Sequence, residues 1–163
     1  MKKILLMSTG GTFNKVYNPI TGDLEIDQNS DALKEIASKW QCEFEILNII
    51  GKDSLEITTK DRMELLVTIT ETDVEDIIIV HGTDTIDMTA AYLADAEIKK
   101  NIILTGAMVP YSIDPVEATA NLAAAYGYLL NLSEYGIYIS MHGIITPHYK
   151  IKKDRVQGKF IFA

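Results

Sequence analysis

The chain has a single cysteine, Cys42, so no intrachain disulfide can form, and a reducing cytoplasm is the setting it suits. Three histidines and that one cysteine give no zinc-ligand spacing. His142 and His148 flank a Gly-Ile-Ile-Thr-Pro stretch as ordinary loop histidines, and no metal site is expected. No apolar run approaches the roughly 18 residues that span a bilayer. Only Ile4 to Met7 are apolar between Lys2-Lys3 and Ser8-Thr9, too few for a secretory segment, so the start reads as a buried strand. Positive charge is scarce too. A formal net charge of −8 argues against nucleic acid or an anionic membrane surface as a partner. Neither Gly-x-x-x-x-Gly-Lys-Ser/Thr nor Gly-x-Gly-x-x-Gly occurs, so no cofactor is expected, and no Gly-x-Ser-x-Gly elbow marks a serine hydrolase. With no linker, repeat or low-complexity tract, residues 1–163 read as one domain.

Short runs rich in Ile, Val and Leu alternate with amphipathic stretches. The runs are 3–7, 43–50, 76–80, 101–104 and 136–141; the helix candidates are 30–40, 59–70, 85–94 and 115–130. Near-continuous apolar runs suit strands buried on both sides, which predicts an α/β fold: a three-layer, doubly wound, mostly parallel sheet of flavodoxin-like type. The last helix has the clearest start, with Asp114 as cap, Pro115 in the first position and Glu117 at capping-box spacing. Its Ala118–Ala125 stretch predicts close packing against the sheet or another subunit. Lys150, Lys152, Lys153, Arg155 and Lys159 form a basic cluster, and such a cluster is usually solvated surface.

Ligands of open parallel sheets bind beyond the carboxyl ends of the strands. There the sequence places Thr9-Gly10-Gly11-Thr12, then His81-Gly82-Thr83-Asp84-Thr85, then Thr105-Gly106-Ala107-Met108, and finally the segment holding Lys152 and Lys153. Glycines let the backbone turn sharply and bring N–H groups to a ligand, where they can hold an oxyanion. Thr12 and Thr83 offer hydroxyls, and Asp84 with a lysine can adjust a proton acceptor beside them. Either glycine turn alone is a weak signal. Both, in order and each after a strand, are much harder to obtain by chance.

These residues resemble the bacterial-type L-asparaginases, which share the Thr-Gly-Gly-Thr turn of Thr9–Thr12 and the His-Gly-Thr-Asp-Thr of His81–Thr85. Gly106-Ala107-Met108-Val109-Pro110 is similar to the family's Gly-Ala-Met-Arg-Pro, and the similarity extends over essentially the whole chain. The resemblance implies that Thr12 is the nucleophile of an acyl-enzyme, that Thr83 and Asp84 take part in proton transfer, and that Asp84 also binds the substrate amino group. It implies Lys153 as the catalytic lysine, with Lys152 its rival, and Tyr17 as the tyrosine that closes over the site. Ser54 matches the serine that holds the substrate carboxylate, with Asp53 and Gly11 beside it as substrate-binding candidates.

Two departures from the family pattern stand out. Leu55 occupies a position that is normally polar, and the second α/β domain of typical members is not in this sequence. The implied activity is hydrolysis of L-asparagine, or of glutamine, to the acid and ammonia by a homo-oligomer of at least two chains. The alternatives are a non-catalytic domain that binds a small amino acid and a receiver-type signalling domain. The latter predicts acidic clusters or phosphate loops where threonines and glycines stand.

Overall fold

A computed structural model describes residues 2–163. Its strands are β1 (Ile4–Gly10), β2 (Lys15–Tyr17), β3 (Leu24–Ile26), β4 (Phe44–Lys52), β5 (Asp76–Val80), β6 (Asn101–Thr105), β7 (Gly136–Met141), β8 (Ile144–Pro147), β9 (Ile151–Asp154) and β10 (Lys159–Phe162). Its helices are α1 (Asp31–Trp40), α2 (Thr59–Glu71), α3 (Ile86–Asp95) and α4 (Pro115–Leu129). One six-stranded sheet runs in the order β4-β1-β5-β6-β7-β8, parallel throughout except for β8, which pairs antiparallel with β7.

Period-two alternation assigns each strand's side chains to two cores. Leu5, Met7, Ile77, Ile79, Ile102 and Leu104 face α2 and α3, where Leu65, Ile69, Ala90 and Leu93 meet them. Ile4, Leu6, Ile78, Val80 and Ile103 face α1 and α4, where Leu33, Ile36, Leu122 and Leu129 meet them. The three-layer, doubly wound arrangement is thus the one the sequence implied. Ala118 and Ala125 are fully buried in the second core, so the alanines bring α4 close to the sheet.

Three local expectations differ from the structure. β4 is an edge strand with half-buried residues, so its apolar run is not covered on both sides. Glu117 does not close a capping box. Asp114 caps α4 by accepting the Val116 N–H at 3.0 Å, while Glu117 turns away to accept the Met108 and Val109 N–H groups at 2.8 and 3.0 Å. The capping box falls instead at α2, between Thr58 and Asp61. Finally, two antiparallel hairpins, β2–β3 and β9–β10, lie outside the main sheet where no strand was expected.

The chain leaves β1 for β4 on one side and returns to β5 on the other. The strand order therefore reverses between β1 and β5, and a ligand crevice belongs at their carboxyl ends. Substituting Leu122→Ala should cost about 2–5 kcal/mol, because the cavity opens between α4 and the sheet. Val116→Ala on the same helix, 73% exposed, should stay within about 0.5 kcal/mol. Urea midpoints of the two variants check the difference.

Candidate active site

Backbone sterics build the crevice. Gly11 has φ 75°, a left-handed conformation that side-chain-bearing residues rarely adopt, and a Cβ there would lie 2.5 Å from the Gly82 nitrogen. A Cβ on Gly82 would in turn lie 2.5 Å from the Ser54 Cβ. The β1 turn, the β5 turn and the Ser54 turn are therefore in direct contact, and only glycine fits at either junction. This brings the segments bearing Thr12, Thr83 and Ser54 together. The Gly11 N–H itself donates to the Lys52 carbonyl at 3.0 Å, so what Gly11 supplies is space rather than an oxyanion donor. The Lys52 side chain is tied to Asp61 at 2.9 Å, fixing that carbonyl to the start of α2.

The C-terminal hairpin delivers the lysine. Lys153, largely buried, donates to Thr83 Oγ1 at 2.9 Å and to Asp84 Oδ1 at 2.8 Å. Lys152 points to solvent, as the alternation of β9 requires, so Lys153 is the lysine in the cluster. Hydrogen bonding to Lys153 holds the Asp84 carboxyl below its ordinary range against burial, which pushes it up; Arg155 adds to the lowering. Burial likewise pushes up the Asp53 carboxyl, but Lys15, at 3.0 Å, and the Leu55 N–H outweigh it and hold it low.

Thr12 lies half-buried in a 3-10 turn directly after Gly11. Ser54 is buried in a similar turn that Asp53 caps. Tyr17 is placed differently. It sits at the end of β2, 63% exposed, and among the described residues no hydrogen bond joins it to the other candidates. The hairpin that bears it is anchored at its base, by Lys15 to Asp53, by Ser112 to the Lys15 carbonyl at 2.7 Å, and by Gln28, which bridges the Ile26 and Gly51 carbonyls. Leu55 is 71% exposed and brings no polar group to the crevice. A cleft of about 110 Å³ borders Thr83, Asp84, Lys153 and Arg155, whereas a larger one of about 280 Å³ lies away from them, between the hairpin base and α1.

Sequence reasoning missed the groups that hold these turns in place. Arg62, 6% exposed, donates through Nε to Thr89 at 2.9 Å, through Nη2 to Thr85 at 3.2 Å and through Nη1 to the Ile57 carbonyl at 3.3 Å. The Thr85 hydroxyl in turn donates a hydrogen bond to the Ser54 carbonyl at 2.8 Å. His81 lies 2.7 Å from the Gly82 carbonyl through Nδ1 and 2.7 Å from Thr89 through Nε2. A carbonyl can only accept, so these partners put the proton on Nδ1 and make Nε2 the acceptor of the Thr89 hydroxyl. Asn121 fastens the next turns, donating to the Gly106 carbonyl at 2.9 Å and accepting the His142 N–H at 3.0 Å. Arg155 was also missed as part of the site; it stands two residues after Lys153, in the turn that follows β9.

The family profile described as "Asparaginase, N-terminal" matches residues 3–162, and the chain belongs to that family. Among curated proteins it is similar to a component of the glutamyl-tRNA(Gln) amidotransferase of Methanococcus maripaludis strain S2, 29% identical over 154 residues. That match covers 88% of this chain and 35% of the relative. The corresponding component in Methanococcus vannielii is 28% identical over 158 residues, covering 89% and 35%. Among solved structures, the L-asparaginase of Thermococcus kodakarensis superposes with a TM-score of 0.85 at 24% identity, covering 98% of this chain and 51% of that one. L-asparaginase I of Vibrio cholerae gives a TM-score of 0.81 at 22% identity, covering 100% and 51%. The chain thus spans about a third of the curated relatives and half of the solved structures, and the superpositions establish its fold.

Burial pulls the pKa of His81 from 6.5 to about 4, with the neighbouring Arg62 charge acting in the same direction. Between those values the unfolded chain binds a proton that the folded chain does not, so stability should fall as pH drops through that window. The full loss is on the order of 3 kcal/mol. His148, also lowered by burial, adds to the slope with the same sign. Urea midpoints from pH 7 to pH 4 should show the slope, His81→Asn should remove most of it, and His148→Asn should apportion the rest.

Proposed function

We propose that the chain is an amidohydrolase that cleaves the side-chain amide of L-asparagine, through Thr12 as nucleophile, to aspartate and ammonia. The Lys153–Thr83–Asp84 cluster is the observation that carries the reading. A free threonine hydroxyl is a weak nucleophile and needs a proton acceptor close by. A largely buried ammonium shared between a hydroxyl and a carboxylate polarises Thr83 at the tip of β5, and that tip is in contact with the tip of β1.

In this mechanism the Thr12 hydroxyl attacks the amide carbon as its proton passes to Thr83; Thr83 gives its own proton to Lys153, which in turn hands one to the Asp84 carboxylate it is bonded to. The tetrahedral oxyanion is held by backbone N–H groups of the two turns. Collapse passes a proton to the departing nitrogen, releases ammonia and leaves the acyl group on Thr12. Water, activated by the same cluster, then attacks the ester and frees the acid. Asp53 and Ser54, in the turn packed on Gly82, would bind the substrate backbone groups, and Tyr17 on its exposed hairpin would close over the occupied crevice.

The reading also takes residues 1–163 as one catalytic domain acting in the cytoplasm as a homo-oligomer, with neighbouring chains completing the crevice. Among the described residues no helix is long and apolar enough to cross a membrane. The names of the curated relatives favour a second reading, in which the domain serves an amidotransferase assembly. An assay of the isolated chain separates the two, since only the first requires ammonia from free asparagine.

Thr12→Ala should lower ammonia release from asparagine by at least about a thousandfold with an unchanged melting temperature, because a half-buried turn hydroxyl contributes little to folding. Lys153→Met should cost activity far more than Lys152→Met. Near-normal release from the Thr12 variant would remove that residue from the chemistry.

A further inference from the structure

Two carboxylates at the crevice, Asp53 and Asp84, already carry cations. Asp53 Oδ2 takes Lys15 at 3.0 Å and its Oδ1 accepts the Leu55 N–H at 3.2 Å. Asp84 Oδ1 takes Lys153 at 2.8 Å and Arg155 Nη1 at 2.6 Å, while Arg155 Nη2 donates to the Asp84 carbonyl at 2.9 Å. Three cations therefore face Asp53 and Asp84, and the other two charged residues bordering the cleft, Asp87 and Lys152, offset each other, in a chain whose formal net charge is −8. The basic cluster near the C-terminus is not all solvated surface.

Arg155 is held by two bonds to one residue although its side chain is 62% exposed. The planar guanidinium spans a carboxylate and a carbonyl together, a span that a lysine ammonium cannot match with one fixed geometry. An α-ammonium entering this crevice would meet carboxylates whose charge is already balanced. Leu55, exposed in the turn beside Ser54, has no side-chain acceptor to offer it. A carboxylate on the ligand would instead meet the surplus cation. Opposite charges favour entry and like charges oppose it over a Debye length of about 8 Å at physiological salt.

We propose that Arg155 determines substrate class: by neutralising Asp84 it makes the crevice take monoamides of dicarboxylic acids that lack an α-ammonium at least as well as α-amino acid amides. The assignment rests on the hydrolase reading for the position of the amide, and it deepens that reading by naming the ligand chemistry. Arg155 acts through Asp84 and is a specificity residue rather than a catalytic one.

Succinate and aspartate differ only by the α-ammonium, so their binding isolates the effect from turnover. Calorimetric titrations of both ligands into the wild-type chain should show succinate binding at least as tightly as aspartate. Arg155→Gln should shift the ratio toward aspartate by about threefold to tenfold, with less shift at high salt, and Arg155→Lys should shift it less. The relative kcat/KM for succinamate and asparagine should move in the same sense. A wild-type preference for aspartate of more than about tenfold would overturn the assignment. So would a ratio unchanged in a folded Arg155→Gln variant, or failure of both ligands to bind. If the binding ratio shifts as expected while no amide releases ammonia, the hydrolase reading falls and the role of Arg155 stands.

Discussion

The crevice depends on backbone meeting backbone. Where Gly11 touches Gly82 and Gly82 touches Ser54, no side chain can intervene, and three turns from distant parts of the sequence come together at the point where the strand order reverses. Each junction is intolerant because the neighbouring atoms are main chain, or a side chain rooted close to it, and cannot swing away. The constraint fixes positions that hydrogen bonds alone would leave loose. Lys52 holds the first turn by its carbonyl, and Arg62 ties the Ser54 turn to α3. A buried guanidinium with only neutral partners is costly to assemble, and its place here is to stop these turns from separating.

The sheet was legible in the sequence because its strands are nearly pure in Ile, Val and Leu, and covered strands leave that signature. β5 and β7 fall on the expected residues, Asp76–Val80 and Gly136–Met141. The hairpins were not legible. β2 and β3 are three residues each and mostly exposed, so no apolar alternation betrays them. Glu117 shows how a local pattern misleads. Its spacing from Asp114 suggested a capping box, but two N–H groups of the loop after β6 and the ring of His142, at 2.9 Å, compete for the carboxylate and win.

The candidate site was legible only where a motif sits on a strand end. Thr12, Thr83 and Asp84 follow strands in register with one another, whereas the sequence favoured Lys153 over Lys152 only through the family resemblance, and the alternation that separates the two belongs to β9, a strand the sequence did not reveal. The supporting groups, Arg62, Thr89 and Asn121, lie on helix faces. There a polar residue in the sequence gives no sign of whether it points to water or into the crevice. Arg155 went unnoticed as a partner because a run of basic residues is ordinarily solvated, and its fork on Asp84 is a property of the folded hairpin.

Lys153 reaches Thr83 across 70 residues of chain and Asp84 across 69. Such contacts pay their loop-closure entropy before they return any energy, and topologies rich in them fold slowly. The hairpin that carries the lysine packs Ile151 and Phe160 onto a core that must already exist. Its apolar side chains have no cover of their own apart from that core. A sheet whose hairpin had not docked would leave Thr83 and Asp84 without the ammonium that joins them, so the completeness of the cluster is tied to the completeness of the fold.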